Sequence, residues 1–206
     1  MDVYREYQAK LRSPEQAVQI VKDGDWVDYS HCCSFPAALD KALAGRRGEL
    51  KDVKVRGSVT CRPVQVLEQD PDNETFTYNV WHCSAIDRKY LDQGRAYHQP
   101  MLFRNCGSYY ERGFAPVDVA MITVAPMDRQ GNFSFGLTNC CQQEVLDAAD
   151  HIILEVNRDM PVVYGVANDH IHISDVDWVV ESDEPISAMP GRPASEMDKK
   201  IAAQIF

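Results

Sequence analysis

Hydrophobic and polar positions along this chain switch between a period near 3.6 and a period of two, almost from end to end. Pro14, Ala17, Val18 and Val21 recur at helical spacing behind Ser13 as N-cap, with Pro14 at the first helical position and Gln16 closing a capping box. Asp23-Gly24-Asp25 stops that helix, and Trp26 to Tyr29 predicts a short strand. Ser34 is placed to cap a second helix with the inner stripe Phe35, Leu39, Ala42 and Leu43. Val53 to Thr60 predicts another strand. Thr75 to Trp81 alternates, with Phe76, Tyr78 and Val80 on one face, and a helix from Ser84 to Gln93 follows.

The second half of the chain continues the pattern. Asp118 to Val124 and Ile152 to Val156 are nearly all apolar, the mark of strands covered on both faces. Between them lie a turn at Asp128–Gly131, a short strand through Phe133 to Phe135, and a helix whose inner face is Cys141, Val145, Ala148 and Ala149. Val176 to Val180 predicts a last strand. Strands alternating with helices imply an α/β fold with a mainly parallel sheet flanked by helices. Near the end, Ser195 caps a helix with Asp198 three residues on, and Met197, Ile201 and Ile205 share one face. The chain stops at Phe206 with no capping glycine or polar tail, which fits equally a helix that continues into further polypeptide and one docked on its own core.

Composition narrows the classes. The 206 residues are 45% hydrophobic and 25% charged, the mix of a soluble globular protein of one large domain or two small ones. With 21 Lys+Arg against 31 Asp+Glu the net charge is −10, and no basic stripe offsets it, which argues against a nucleic-acid partner. Met1 to Glu6 is charged and holds no apolar signal core, and the longest apolar run, Val119 to Pro126, is broken by Thr123 and too short to cross a bilayer. No membrane partner and a cytoplasmic location are expected. In that setting Asn73-Glu74-Thr75 and Asn132-Phe133-Ser134 are chance matches to the glycosylation pattern. Seven cysteines, two adjacent pairs among them and none spaced Cys-x-x-Cys, weigh against a disulfide framework and against zinc; free, mostly buried thiols are expected.

The motifs of dinucleotide, P-loop, serine-hydrolase and zinc-peptidase sites are all missing. Polar candidates gather where strands hand over to helices, the edge at which open α/β sheets bind ligands. They are Ser30-His31-Cys32-Cys33-Ser34, Thr60-Cys61-Arg62 and His82-Cys83-Ser84. Each has a plain structural alternative: Ser34 and Ser84 as caps, His31 as a satisfied loop residue, Arg62 as a solvated cation. Cys–His nucleophilic pairs at 31/32 and 82/83 are disfavoured, because neighbours on a strand point to opposite faces. His170-x-His172 puts two imidazoles on one side if extended, with Asp169 nearby, but no further spaced ligand accompanies them. A structural role outranks a metal there.

The order of several segments resembles a known family. They are Ser13-Pro14-Glu15-Gln16-Ala17-Val18, Lys22-Asp23-Gly24-Asp25 and Ala37-Ala38-Leu39-Asp40-Lys41-Ala42-Leu43, then Asp118-Val119-Ala120 and Val124-Ala125-Pro126-Met127-Asp128 with Gly131 and Gly136. Ile153-Leu154-Glu155-Val156-Asn157, Met160 to Gly165 and Ile171-His172-Ile173-Ser174-Asp175 complete the set. Together they resemble the N-terminal half of the acetyl-CoA hydrolase/transferase family, and within it the butyryl-CoA:acetate and 4-hydroxybutyrate CoA-transferases.

The resemblance implies two related α/β domains with the active site between them. Residues 1–190 would be the N-terminal domain. The Pro190-Gly191-Arg192-Pro193 stretch and residues 191–206 would link it to a C-terminal domain absent from this sequence. Family members move coenzyme A from an acyl-CoA to a carboxylate: a glutamate attacks the thioester, an acyl anhydride forms, and coenzyme A returns to give a glutamyl thioester. That glutamate lies in the second half, so no catalytic residue is assigned here. Ser195-Glu196-Met197 resembles its motif, but its position matches the connecting helix. By position, His31, Thr60, Cys61, Cys83 and Ser84 fall on substrate-pocket loops, and Asp128 and Gly131 on the family's Pro-x-Asp-x-x-Gly turn. Cysteines there would make the pocket apolar rather than catalytic. The implied partners are the C-terminal domain, an acyl-CoA and a short-chain carboxylate, in a homo-oligomer with no cofactor besides the coenzyme A thioester as substrate. An acyl-CoA hydrolase and a non-catalytic binding or assembly module are the alternatives.

Overall fold

A computed structural model describes residues 2–165, 168–188 and 191–205; Pro190 of the expected linker and the terminal Phe206 lie outside them. The chain begins α1 (Val3–Lys10), α2 (Pro14–Ala17), β1 (Trp26–His31), α3 (Ala37–Ala44), β2 (Val53–Ser58), α4 (Gln65–Glu68), β3 (Phe76–Val80), α5 (Ala85–Asp92) and β4 (Ala96–His98). It continues α6 (Cys106–Glu111), β5 (Val117–Val124), β6 (Asn132–Ser134), α7 (Gln142–Asp147), β7 (Ala149–Asn157), β8 (His170–His172), β9 (Trp178–Ser182) and α8 (Glu196–Ala202). Seven strands form one parallel sheet in the order β4-β3-β2-β1-β5-β7-β9, while β6 and β8 make a small antiparallel ribbon. This is the expected α/β architecture.

The period-two runs explain the two layers. On β5, Val119 and Met121 pack with α2 to α5 on one face, while Ala120, Ile122 and Val124 pack with α1, α6 and α7 on the other. Phe76, Tyr78 and Val80 of β3 share the first face with Leu39 and Leu43 of α3, as their spacing predicted. The capping boxes at Ser13, Ser84 and Ser195 all form. Helix α2 is shorter than its period suggested: α geometry ends at Ala17, and a 3-10 turn over Val18–Ile20 carries the stripe onward. At the other end of the pattern, Ala149 already belongs to β7, paired with Val117, so the predicted helix there overran into the strand.

One expected cap is corrected. Ser34 does not cap α3. Its residue lies in a 3-10 turn over Cys32–Ser34, and its hydroxyl accepts from Gln142 Nε2 at 3.1 Å. The reason is Pro36: a residue before proline is pushed out of the helical region, and Phe35 sits at ψ 121. The helix therefore starts later. Its free N–H groups are taken by a side chain from across the sheet, since Glu155 Oε2 of β7 accepts from Ala38 at 2.9 Å and from Leu39 at 3.0 Å.

Among the described residues no helix is long and apolar enough to cross a membrane. Helix α8 buries none of its residues; Met197 and Ile201 are exposed, as is Ile205 just beyond it.

Candidate functional site

Strand order reverses at β1: β2 lies on one side of it and β5 on the other, so the loops leaving the carboxyl ends of β1 and β5 diverge and open a crevice between them. Cys32, Cys33, Phe35, Thr123, Glu155 and Asn157 line that crevice, with Arg62 and Glu184 at its mouth. It holds ≈ 10 Å³, about the space of one water, and is nearly filled by the protein itself.

Its walls carry unusual backbone. Ser30, Cys32 and Val59 stand at φ 55, 48 and 52, a left-handed conformation that disfavours a β-branched residue such as Val59 above all. Strain of this kind at the ends of β1 and β2 shapes the loops. At Ser30 the register between β1 and β2 slips, so His31 does not continue the alternation of Val27 and Tyr29. Tyr29 donates to Asp40 on the α3 side at 3.2 Å, whereas His31 is turned to the opposite face, where its Nε2 lies 3.9 Å from Cys106 Sγ. The structure therefore does not bring His31 into the crevice.

The other expected site residues divide. Thr60 is buried and fully engaged: its N–H donates to Asp87 Oδ2 at 3.0 Å and its hydroxyl is 2.8 Å from the Tyr78 hydroxyl. Gly57 makes room for that tyrosine, whose hydroxyl occupies the space a Cβ would need. Asp87 Oδ2 also accepts from Ser84 N–H at 2.7 Å, and the Ser84 hydroxyl accepts from Ile86 and Asp87, so this aspartate ties the ends of β2 and β3 together. Cys83 packs half-buried against the α2–α5 core. Cys61 lies against Cys32 at the crevice edge. Arg62 finds its anion within the chain, 3.1 Å from Glu184 Oε2.

Asp128 and Gly131 sit apart from the crevice in the turn between β5 and β6. Asp128 accepts from the N–H groups of Gln130 and Asn132, each at 2.8 Å, and Gly131 takes φ +93 where a Cβ would strike His172. His172 is itself occupied on both ring nitrogens, by Ser174 Oγ at 2.8 Å and the Gln130 carbonyl at 3.1 Å. His170 pairs with Asp169 at 2.6 Å.

Cys32 in the crevice wall is not poised to attack, and neither are the thiols of Cys61, Cys83 and Cys140. Burial pushes Cys32 up to about 11, and burial likewise raises Cys61, Cys83 and Cys140, so these sulfurs stay protonated near neutrality. Burial also raises the Glu155 carboxyl, against the helix N–H groups that favour its charge. The wall presents apolar thiols and a structural carboxylate.

A second hollow at the same edge escaped the sequence. A groove of ≈ 740 Å³ runs beside α1, lined by Tyr4, Tyr7, Pro126, Met127, Arg158 and Glu181. Tyr7 donates to Glu181 Oε1 at 2.8 Å. Helix α1 carries mixed charges with little apolar periodicity, so only its docking against the strand ends reveals the groove.

Residues 1–190 match the acetyl-CoA hydrolase/transferase N-terminal domain. The chain belongs to that family. It is 40% identical over 207 residues to the butyryl-CoA:acetate CoA-transferase of Anaerostipes caccae, covering all of this chain and 46% of that protein. RipA from Yersinia pestis superposes with a TM-score of 0.83 at 31% identity, over 95% of this chain and 46% of that one. The 4-hydroxybutyrate CoA-transferase of Porphyromonas gingivalis does so at 0.65 and 25% identity, over 92% of this chain and 43% of the other. The chain thus spans about half the length of the curated relatives it matches.

Proposed function

We propose that this chain is the acyl-pocket half of a short-chain acyl-CoA:carboxylate CoA-transferase, moving coenzyme A between a butyryl- or 4-hydroxybutyryl-type acyl-CoA and acetate. The observation that carries the reading is the family match over residues 1–190 together with relatives about twice as long. The crevice chemistry supports it: burial holds Cys32 as a thiol, and its one buried carboxylate, Glu155, is committed to the N-terminus of α3. On this reading residues 1–190 form one wall of an interdomain cleft and residues 191–206 lead to the second domain, which supplies the attacking glutamate. Cys32, Cys33 and Cys61 form an apolar lining for the acyl chain, with Thr60, Cys83 and Ser84 shaping the loops behind it. His31, Asp128 and Gly131 take supporting positions. The enzyme works in the cytoplasm as a homo-oligomer and needs no cofactor beyond its coenzyme A thioester substrate.

The test uses the full-length protein and residues 1–206 side by side, with butyryl-CoA and acetate. Acetyl-CoA formation by the full-length protein, with parallel double-reciprocal lines and none from residues 1–206, is the expected result. Transfer by residues 1–206 alone would overturn the proposal. Thiol release independent of acetate would assign a hydrolase instead.

A further inference from the structure

Behind the crevice, on the opposite face of β1, three buried groups meet, and the transferase reading gives no role to the two cysteines among them. Cys106 opens α6, Cys141 directly precedes α7, and His31 ends β1; all three are at most 3% exposed. The two sulfurs lie 2.9 Å apart, closer than the roughly 3.5–4.0 Å of ordinary non-bonded contact. His31 Nε2 stands 3.9 Å from Cys106 Sγ. We propose that Cys106 and Cys141 form a reversible disulfide when the protein meets a peroxide, with His31 taking the proton of the attacking thiol.

The same three donors invite a metal reading, which the geometry disfavours. Two thiolates on one tetrahedral zinc, each at about 2.3 Å, stand about 3.8 Å apart. Here they are nearly an ångström closer, and no fourth His, Cys, Asp or Glu among the described residues joins the group. A metal-bound histidine also anchors its second nitrogen, whereas His31 Nδ1 is buried without a partner.

The chemistry balances with one peroxide. The Cys106 thiolate attacks a peroxide oxygen, the O–O bond breaks, and the departing hydroxide takes the proton held by His31 to leave as water. Cys106 is then a sulfenic acid. The Cys141 sulfur attacks it, the S–O bond breaks, and the second hydroxide leaves with the Cys141 proton as water. Two electrons leave the sulfurs and reduce one peroxide to two waters; a dithiol reverses the step. Contact with Cys141, reinforced by His31, holds the Cys106 thiol below the usual thiol range, while the same contact raises Cys141, so the roles of attacking and resolving sulfur are distinct. Asp28 opposes the Cys106 charge from β1 without reversing the order. Hydrogen peroxide is close to water in size, which suits a pair enclosed this deeply. The bond would tie α6 to α7 directly behind the Cys32–Cys33 loop.

The experiment treats the reduced full-length protein with stoichiometric hydrogen peroxide, alkylates it in denaturant, and maps cysteine peptides by mass. The expected product is a peptide linked 106–141, lighter by about 2 Da than its two thiol halves and restored by dithiothreitol. Cys141→Ser should instead leave a Cys106 sulfenic acid that dimedone traps. His31→Gln, with an unchanged circular dichroism spectrum, should slow the linkage roughly 10-fold. Both thiols fully alkylated after peroxide, a link from Cys106 to Cys140 instead, or one zinc per chain shielding the pair would each overturn the proposal. An unchanged rate in His31→Gln would overturn the role given to that ring.

Discussion

Strand β1 presents two different surfaces within six residues. Toward α2–α5 it offers Val27 and Tyr29, packed among Leu39, Leu43, Val55 and Tyr78. Toward α6 it offers Asp28, whose Oδ2 lies 3.2 Å from Arg56 Nη1 and accepts from the Tyr110 hydroxyl at 2.8 Å. The Arg56 guanidinium is also stacked 4.5 Å from the Trp26 ring centre and 5.3 Å from that of Trp81. The first face is held by apolar burial, which tolerates approximate shapes. The second is held by a buried ion pair and a thiol–imidazole group, where each partner depends on another. Redundancy on one side and dependence on the other is the physical difference between them.

The sharpest way to break this comparison is to remove one charge from the polar face. Arg56→Met should cost about 3–5 kcal/mol in urea unfolding, because Asp28 is left charged and buried; a loss below about 1 kcal/mol would show that the ion pair is dispensable. Asp40 tests the other face, as one of its few buried charged side chains: it accepts from Gln65 N–H and Val66 N–H and from the Tyr29 hydroxyl. Burial raises its carboxyl to about 7. The folded state then keeps this proton where the unfolded chain, with a pKa of about 3.9, has released it. Stability from this group is full below about pH 4 and falls as pH rises through about 7, by up to roughly 4 kcal/mol. Asp40→Asn should flatten that slope in a pH series of unfolding curves. Leu43→Ala, purely apolar, should cost about 3 kcal/mol at every pH. The smallest expected effect is Ser84→Ala, about 1 kcal/mol for a lost N-cap by thermal unfolding, with Asp87 still bridging to Thr60.

The cysteines show how far composition carries. Their adjacency and lack of Cys-x-x-Cys spacing pointed to free, mostly buried thiols; all seven are free in the structure, but only Cys106 and Cys141 are buried, because the others sit on loops at the strand and helix ends. Nothing in their spacing signalled that residues 106 and 141 meet, because they stand 35 positions apart with the rest of α6, then β5, β6 and their connecting loops between them. Likewise the strand-end positions of Cys32, Cys61 and Arg62 were readable as an edge, but the Glu184 that answers Arg62 comes from beyond β9. Glu155 is the clearest omission. It stood inside a quoted segment of apolar strand, and a carboxylate there gives no local sign that it serves a helix 116 residues away in sequence.

What the chain's own pattern determined is most of the sheet strands, several of the helices beside them, the α/β class and the parallel character of the sheet, along with the caps at Ser13, Ser84 and Ser195, whereas α1, α4, α6, β4 and β8 were not read from it. These rest on nearest neighbours: a period of two or 3.6, a hydroxyl three residues before its donor, a proline at the first helical position. What only the tertiary structure decided is which face His31 takes, which acid caps α3, and which sulfurs touch. A single left-handed residue at Ser30 shifts the alternation of β1 by one step, and hydrophobic periodicity carries no term for that shift. Long-range polar contacts are chosen by geometry that exists only once the sheet has closed.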